Sequence, residues 1–148
     1  RCEIPSSNYR MTEFQGVLGL SQIKHARDWV LRRNVIADIY QYYLEDIEWL
    51  TLPPYYENIR QTWWQYIVKL DDTIDRTDFL KRLMDKGIPT ANAYWPACHQ
   101  QEVFKPYVSK HGCPISDKFL EQHFSLPMYV ELKDEDVVDI CEIVRNNR

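Results

Sequence analysis

The chain has 148 residues, of which 45% are hydrophobic and 27% charged, and its net charge is −4 at pH 7. A chain of this length can bury a sizeable core, and this composition excludes an intrinsically disordered protein. The acidic balance argues against nucleic-acid binding, and no apolar run approaches the roughly 18 residues that a membrane span needs. We interpret the richest basic stretch as a solvated helix face; it comprises Lys24, Arg27, Arg32 and Arg33.

Helical periodicity predicts two helices in the first third of the chain. The first runs from Arg10 to about Ile23. The second is longer and amphipathic, because apolar residues recur every three or four positions from Trp29 to Ile47, with Arg33 as the only charged member of the stripe. We expect Trp29 and Tyr40 to cover a surface that another domain contacts.

The rest of the chain predicts a small sheet covered by helices. The predicted elements are a strand at 63–70, a helix at 77–86 with Asp75 as its cap and Met84 facing inward, a strand at 90–95, a short helix from Pro114, a strand at 125–129 and a last helix from Asp134. This order predicts an α/β domain of the α+β type, with a mainly antiparallel sheet of three to four strands and helices on one side.

The four cysteines are scattered and form no CxxC pair; they are Cys2, Cys98, Cys113 and Cys141. Such spacing in a chain with a sizeable core indicates reduced thiols and a cytoplasmic protein. Cys98 and His99, with His111 and Cys113, come nearest to a zinc ligand set, but adjacent ligands without a CxxC pair argue against a structural zinc site.

Four segments carry a resemblance to a known family. They are the run NYRMTEFQ at 8–15 with Gly19, Leu20 and Gln22 after it; YIVKL at 66–70; GIPT at 87–90 leading to YWPACH at 94–99; and CP at 113–114 followed by SLPM at 125–128 and DEDV at 134–137. In this order they resemble motifs of the DegT–StrS family of pyridoxal-phosphate (PLP) sugar aminotransferases. The match runs almost from end to end.

The resemblance implies the C-terminal small domain of an aspartate-aminotransferase-type (fold type I) PLP enzyme. Residues 1–50 are expected to form a helical connector and residues 51–148 the small α/β domain. The family's cofactor-binding lysine belongs to a large N-terminal domain, which would precede Arg1. This chain alone is therefore expected to bind no PLP and to be inactive, whereas the whole homodimeric enzyme would transfer an amino group from a donor such as glutamate to a nucleotide-linked keto-sugar.

The resemblance also implies roles for five residues. Asn8 would reach the PLP phosphate of a partner subunit, and Arg10 would hold a phosphate or carboxylate. The residues alone also allow Asn8 to be a helix cap and Arg10 to form a structural ion pair. His99, Tyr94 and Trp95 would contact the nucleotide sugar, although the residue type alone favours core packing for Trp95.

Departures from the family pattern concern the substrate contacts. Trp64 stands where the family often has histidine, Tyr94 replaces the histidine of an H-Y-P run, and Ala97-Cys98 replaces Pro-Leu. Three other hypotheses stay open. The parent could be a dehydrase of the same family that uses pyridoxamine phosphate, or the chain could be a stand-alone, non-catalytic binding module. A hydrolase using His99 with a Ser and an Asp would need a nucleophile elbow, which the sequence lacks.

Overall fold

A computed structural model describes residues 10–56, 58–92 and 95–148. Within these ranges the chain forms helices α1 (Glu13–Ile23) and α2 (Ala26–Leu44), strands β1 (Leu50–Thr51) and β2 (Tyr66–Leu70), helices α3 (Arg76–Asp85) and α4 (Pro114–Gln122), strand β3 (His123–Leu126) and helix α5 (Asp134–Arg145). Two short 3-10 turns, Cys98–Gln100 and Glu102–Tyr107, lie between α3 and α4. None of the helices in the described ranges combines the length and apolar character that crossing a bilayer requires.

The three strands form an antiparallel sheet in the order β1-β2-β3. Along β2, buried Tyr66, Val68 and Leu70 alternate with half-buried Ile67 and Lys69, so one face of the sheet packs against the helices. The predicted small antiparallel sheet covered by helices is confirmed.

Strand boundaries differ from the prediction at three places. The strand predicted at 63–70 begins only at Tyr66, because Trp63 has φ +46° and is not extended. In the described part of 90–95, Ala91 forms one isolated bridge with Ser125, so no regular strand is seen there; residues 93 and 94 lie outside the described residues. Strand β3 begins at His123, earlier than predicted, and ends before Pro127, which cannot donate a ladder hydrogen bond.

Helices α2 and α5 pack side by side over the sheet and run in the same direction. Arg32 near the start of α2 pairs with Asp134 at the start of α5, with 2.5 Å between Nη1 and Oδ1. At the other end, Arg145 donates to both carboxylate oxygens of Asp46, at 2.6 and 2.9 Å. Arg32 therefore belongs to a contact between elements, and half-buried Arg33 donates to the Trp63 carbonyl at 2.8 Å. The interpretation of the basic stretch as a solvated face is wrong at these two positions.

The start of α1 and the end of α2 differ from the positions that the helical periodicity predicts. Helix α1 starts at Glu13 because Thr12 and Gln15 form a capping box, in which Thr12 Oγ1 accepts from Gln15 N at 3.3 Å and Gln15 Oε1 accepts from Thr12 N at 2.9 Å. Helix α2 ends at Leu44, and a turn with 3.1 Å between Ile47 N and Leu44 O still directs Ile47 into the core.

The predicted cap of α3 is confirmed, since Asp75 accepts from the backbone N of Asp78 at 2.9 Å. Two burial predictions are wrong. Met84 is 57% exposed, because it lies beside the inward row of Phe79 and Leu83. Tyr40 is fully buried and donates to the Pro127 carbonyl at 2.9 Å, so it covers the sheet of its own domain.

Candidate functional site

His99 is held by a carboxylate from another element. Its Nε2 lies 2.7 Å from Oδ1 of Asp117, and its side chain is 17% exposed. Gln100 Nε2 donates to the same oxygen at 2.7 Å, while Gln100 Oε1 accepts from Ala97 N at 3.3 Å. One carboxylate thus fixes both the imidazole and the 3-10 turn that carries it.

Local sequence explains why Asp117 is in place. Helix α4 begins with Pro114, whose fixed φ suits a first helical position, and Asp117 lies in the first turn, where the helix dipole favours a negative charge. The hydrogen bonds from His99 and then Gln100 hold the pKa of Asp117 below its usual value. Asp117 is therefore a carboxylate at neutral pH.

The contact leaves Nδ1 of His99 as the ring nitrogen that Asp117 does not engage. Because a carboxylate only accepts, His99 Nε2 carries the proton of this bond. Nδ1 of the neutral ring therefore accepts from a sugar hydroxyl, and Nδ1 of the imidazolium donates to a phosphate oxygen. A hydrolase would in addition need a serine hydroxyl on this ring, and no such hydrogen bond is seen among the described residues.

Trp95 lies on the same loop as His99. Its side chain is 54% exposed, and the peptide bond to Pro96 is cis. Core packing, which the residue type favoured for Trp95, is therefore wrong, and the indole is available at the surface. Tyr94 and Asn8, the other predicted contacts, lie outside the described residues.

Arg10 lies at the exposed start of α1, two residues before the Thr12 cap. Arg10 thus lies just before α1, whereas His99 and Trp95 lie on the segment between α3 and α4. Around Cys98 the described ranges contain no group of three His, Cys, Asp or Glu side chains placed to hold a metal ion.

Helix α1 contributes no buried side chain. Its large apolar residues are each more than half exposed: Phe14 79%, Val17 67%, Leu18 52%, Leu20 68% and Ile23 68%. At 3.6 residues per turn these five positions span about 220° of the helix circumference, twice the width of an ordinary core-facing stripe. We call this set the α1 apolar surface.

Sequence reasoning missed both partners of His99. Asp117 is 18 positions away in the chain, and Gln100 is its neighbour; the pattern offered only one signal, a carboxylate in the first turn after Pro114. It also missed the geometry around Trp64 described below.

Comparison with known proteins identifies the family. The family model for the DegT/DnrJ/EryC1/StrS aminotransferase family matches residues 1–145. The chain is 30% identical over 151 residues to the spore coat polysaccharide biosynthesis protein SpsC of Bacillus subtilis, with 97% of this chain and 39% of the relative covered. It is 28% identical over 137 residues to the GDP-perosamine synthase of Escherichia coli O157:H7, with 93% of this chain and 36% of the relative covered.

A solved aminotransferase of the same family from Brucella abortus aligns with a TM-score of 0.82 at 26% identity, over 98% of this chain and 39% of that chain. The chain thus spans less than two fifths of the length of these relatives. The predicted fold class and the predicted resemblance are both confirmed. The chain belongs to the DegT/DnrJ/EryC1/StrS aminotransferase family of PLP-dependent sugar aminotransferases.

Proposed function

We propose that the chain is the C-terminal, substrate-facing part of a nucleotide-sugar aminotransferase that moves an amino group from a donor such as glutamate to a keto-sugar in the cytoplasm. In this proposal residues 1–50 connect to a large N-terminal domain, residues 51–148 form the small domain, and the whole enzyme is a homodimer. The family match over residues 1–145, together with the 36–39% coverage of the relatives, supports it.

The observation that carries the proposal is the α1 apolar surface. A helix that is apolar around most of its circumference is normally buried, because each exposed side chain forgoes about 1.5–3 kcal/mol of burial energy. The α1 residues pack only weakly on their own domain, at the junction with α2. A large domain on one side and a partner subunit on the other would cover them.

The lysine that binds PLP is proposed to lie on the other domain. Every lysine of the chain lies within the described ranges, and none is buried. A lysine that binds PLP covalently is activated by desolvation or a lowered pKa, whereas the hydrogen bond to Asp72 raises the pKa of Lys118. We therefore place the cofactor, which supplies the electron sink, on the other domain. Asn8 and Arg10 are proposed to contact its phosphate in a partner subunit.

The sugar-nucleotide contacts are proposed to come from the loop before α4. His99, oriented by Asp117, would accept from a sugar hydroxyl through Nδ1 as a neutral ring or donate from Nδ1 to a phosphate oxygen as an imidazolium, and Trp95 and Tyr94 would pack on the ligand. The exposure of Trp95 and the fixed orientation of His99 support these roles.

A chimera tests the proposal. Residues 1–148 would replace the matching 36% of the E. coli GDP-perosamine synthase, and PLP binding and amino transfer to that enzyme's own substrate would be measured. We expect a folded dimer that binds PLP and transfers amino groups, while the 148-residue chain alone does neither. Arg10→Ala in the chimera should weaken PLP binding about tenfold or more, because the substitution removes one charge-assisted hydrogen bond.

Arg27→Ala is the matched control, because it removes an exposed arginine from the next helix. A chimera that folds and binds PLP but does not transfer amino groups would contradict the proposal. Amino transfer by the isolated chain would contradict it as well. If Arg10→Ala binds PLP as tightly as Arg27→Ala, the phosphate role of Arg10 is wrong.

The α1 apolar surface gives a second measurement. The isolated chain should self-associate or bind a hydrophobic dye, because exposed apolar patches of this kind are interaction sites. Leu18→Glu together with Leu20→Glu should abolish both effects, whereas the same change at exposed Met84, on α3, should not. A strictly monomeric wild-type chain that binds no dye would refute the interpretation of the α1 apolar surface as an interaction site.

A further inference from the structure

Two consecutive tryptophans before β2 have opposite environments. Trp63 is 7% exposed, whereas Trp64 is 63% exposed. The difference comes from a strained residue, because Trp63 has φ +46°, a region that bulky residues seldom adopt. Residues with a strained backbone persist only where surrounding interactions fix their conformation, and they cluster at ligand sites.

Helix α2 holds this turn in place. Arg33 Nη1 donates to the carbonyl oxygens of Trp63 at 2.8 Å and Trp64 at 3.3 Å. The next residue, Asn34, donates from Nδ2 to the Gln61 carbonyl at 2.9 Å. The sole charged residue in the α2 stripe thus fixes the backbone that presents the Trp64 indole to solvent.

Trp64 and Gln65 form a wall between two clefts. The first, of about 560 Å³, is also lined by Arg60, Gln61 and Thr62. The second, of about 220 Å³, is also lined by Thr90 and Ser125. The first cleft alone has the volume of a small-molecule site, which is typically about 300–1,000 Å³.

Gln65 has an unsatisfied carbonyl. Its Oε1 is buried and has no hydrogen-bond partner among the described residues. Such an atom costs about 1–3 kcal/mol and is rare enough in native proteins to suggest a missing partner. The side chain as a whole is only half-buried and lines both clefts, and a rotation about its last torsion, which is broad in energy, exchanges the positions of the amide oxygen and nitrogen.

We propose that Trp64 and Gln65 form a sugar-ring subsite, with the Trp64 indole against the apolar face of a hexopyranose and Gln65 Oε1 accepting a ring hydroxyl. The exposed guanidinium of Arg60 lies in the same cleft and suits a phosphate attached to that sugar. The subsite deepens the proposed function, on which its ligand class rests, and it adds two residues to the contacts proposed for the loop before α4.

Saturation-transfer NMR on the full 148-residue chain tests the subsite with three probes: GDP-mannose, GDP and methyl α-mannoside. We expect saturation of the pyranose protons of GDP-mannose. Trp64→Ala and Gln65→Leu should each weaken GDP-mannose binding by roughly tenfold, and Trp64→Phe should retain it because an aromatic face remains. Tyr42→Ala is the matched control, since Tyr42 is 72% exposed and lies on α2 outside both clefts.

Absence of pyranose saturation in the wild-type chain, or saturation that Trp64→Ala leaves unchanged, would overturn the subsite. Saturation restricted to the base, equal for GDP and GDP-mannose, would also overturn it in favour of nucleotide binding. These outcomes are distinct from failure of the proposed function, because the chimera can transfer amino groups without this subsite. Conversely, the isolated chain can bind the sugar even if the chimera proves inactive.

Discussion

Replacing Arg33 with leucine tests how the strained turn at Trp63 is held. Leucine keeps the apolar stem that packs along α2 but removes the donor that joins Trp63 and Trp64 to the helix. A hydrogen bond from a charged group contributes about 1.5–3 kcal/mol, and the second, longer bond adds little. The expected loss in free energy of unfolding is therefore about 2 kcal/mol.

Urea unfolding followed by circular dichroism measures this loss. With a slope of about 2 kcal/mol per molar urea, the midpoint should fall by about 1 M. Arg27→Leu on the exposed side of α2 should shift it by no more than about 0.3 M, since surface changes usually stay within 0.5 kcal/mol. An Arg33→Leu midpoint equal to that of Arg27→Leu would refute the idea that Arg33 holds the turn.

Three further predictions concern the core, the thiols and acid. Phe79→Ala should cost about 3–5 kcal/mol of unfolding free energy in the same urea experiment, because the ring is fully buried; a cost below 1.5 kcal/mol would contradict its place in the core. At pH 8 a thiol reagent should modify exposed Cys98 promptly and Cys141 only after unfolding, because burial raises the pKa of the Cys141 thiol to about 12; equal rates in the folded chain would contradict this. The His99 contact lowers the pKa of Asp117, so its stabilisation is complete above the ordinary value of 3.8 and disappears as pH falls through the lowered pKa; Asp117→Asn should therefore flatten the acid limb of the stability curve, and an unchanged limb would count against the contact.

Periodicity predicted most helices well because their apolar faces pack within this domain. In α5, Val137, Ile140 and Val144 are the residues that the pattern turns inward, and all three are buried. The same reasoning could not establish what covers α1, because the pattern reports that a residue is apolar and not which surface it contacts. Strand β1 was not predicted, because a strand of two residues is too short to show an alternating pattern. Its position depends on the pairing of Leu50 with Leu70.

The candidate site was predictable only in part. The motif resemblance identified His99, but the orientation of its ring depends on Asp117. His99 lies on a 3-10 turn, and its Nε2 is 2.7 Å from Asp117 Oδ1. Trp64 departs from the family pattern, yet nothing in the sequence indicates that Trp63 adopts φ +46°. Backbone conformation of this kind follows from long-range hydrogen bonds, here from Arg33, and not from local propensity.

The capping box of α1 has a mechanical consequence. Because Thr12 and Gln15 lock the first turn, α1 acts as a stiff rod of about 16 Å whose near end carries Arg10. Any domain or subunit that packs against α1 also determines the position of the Arg10 guanidinium. A shift of one helical turn along α1 would displace that guanidinium by about 5 Å. Packing against α1 and positioning of the Arg10 guanidinium are thereby one geometric event.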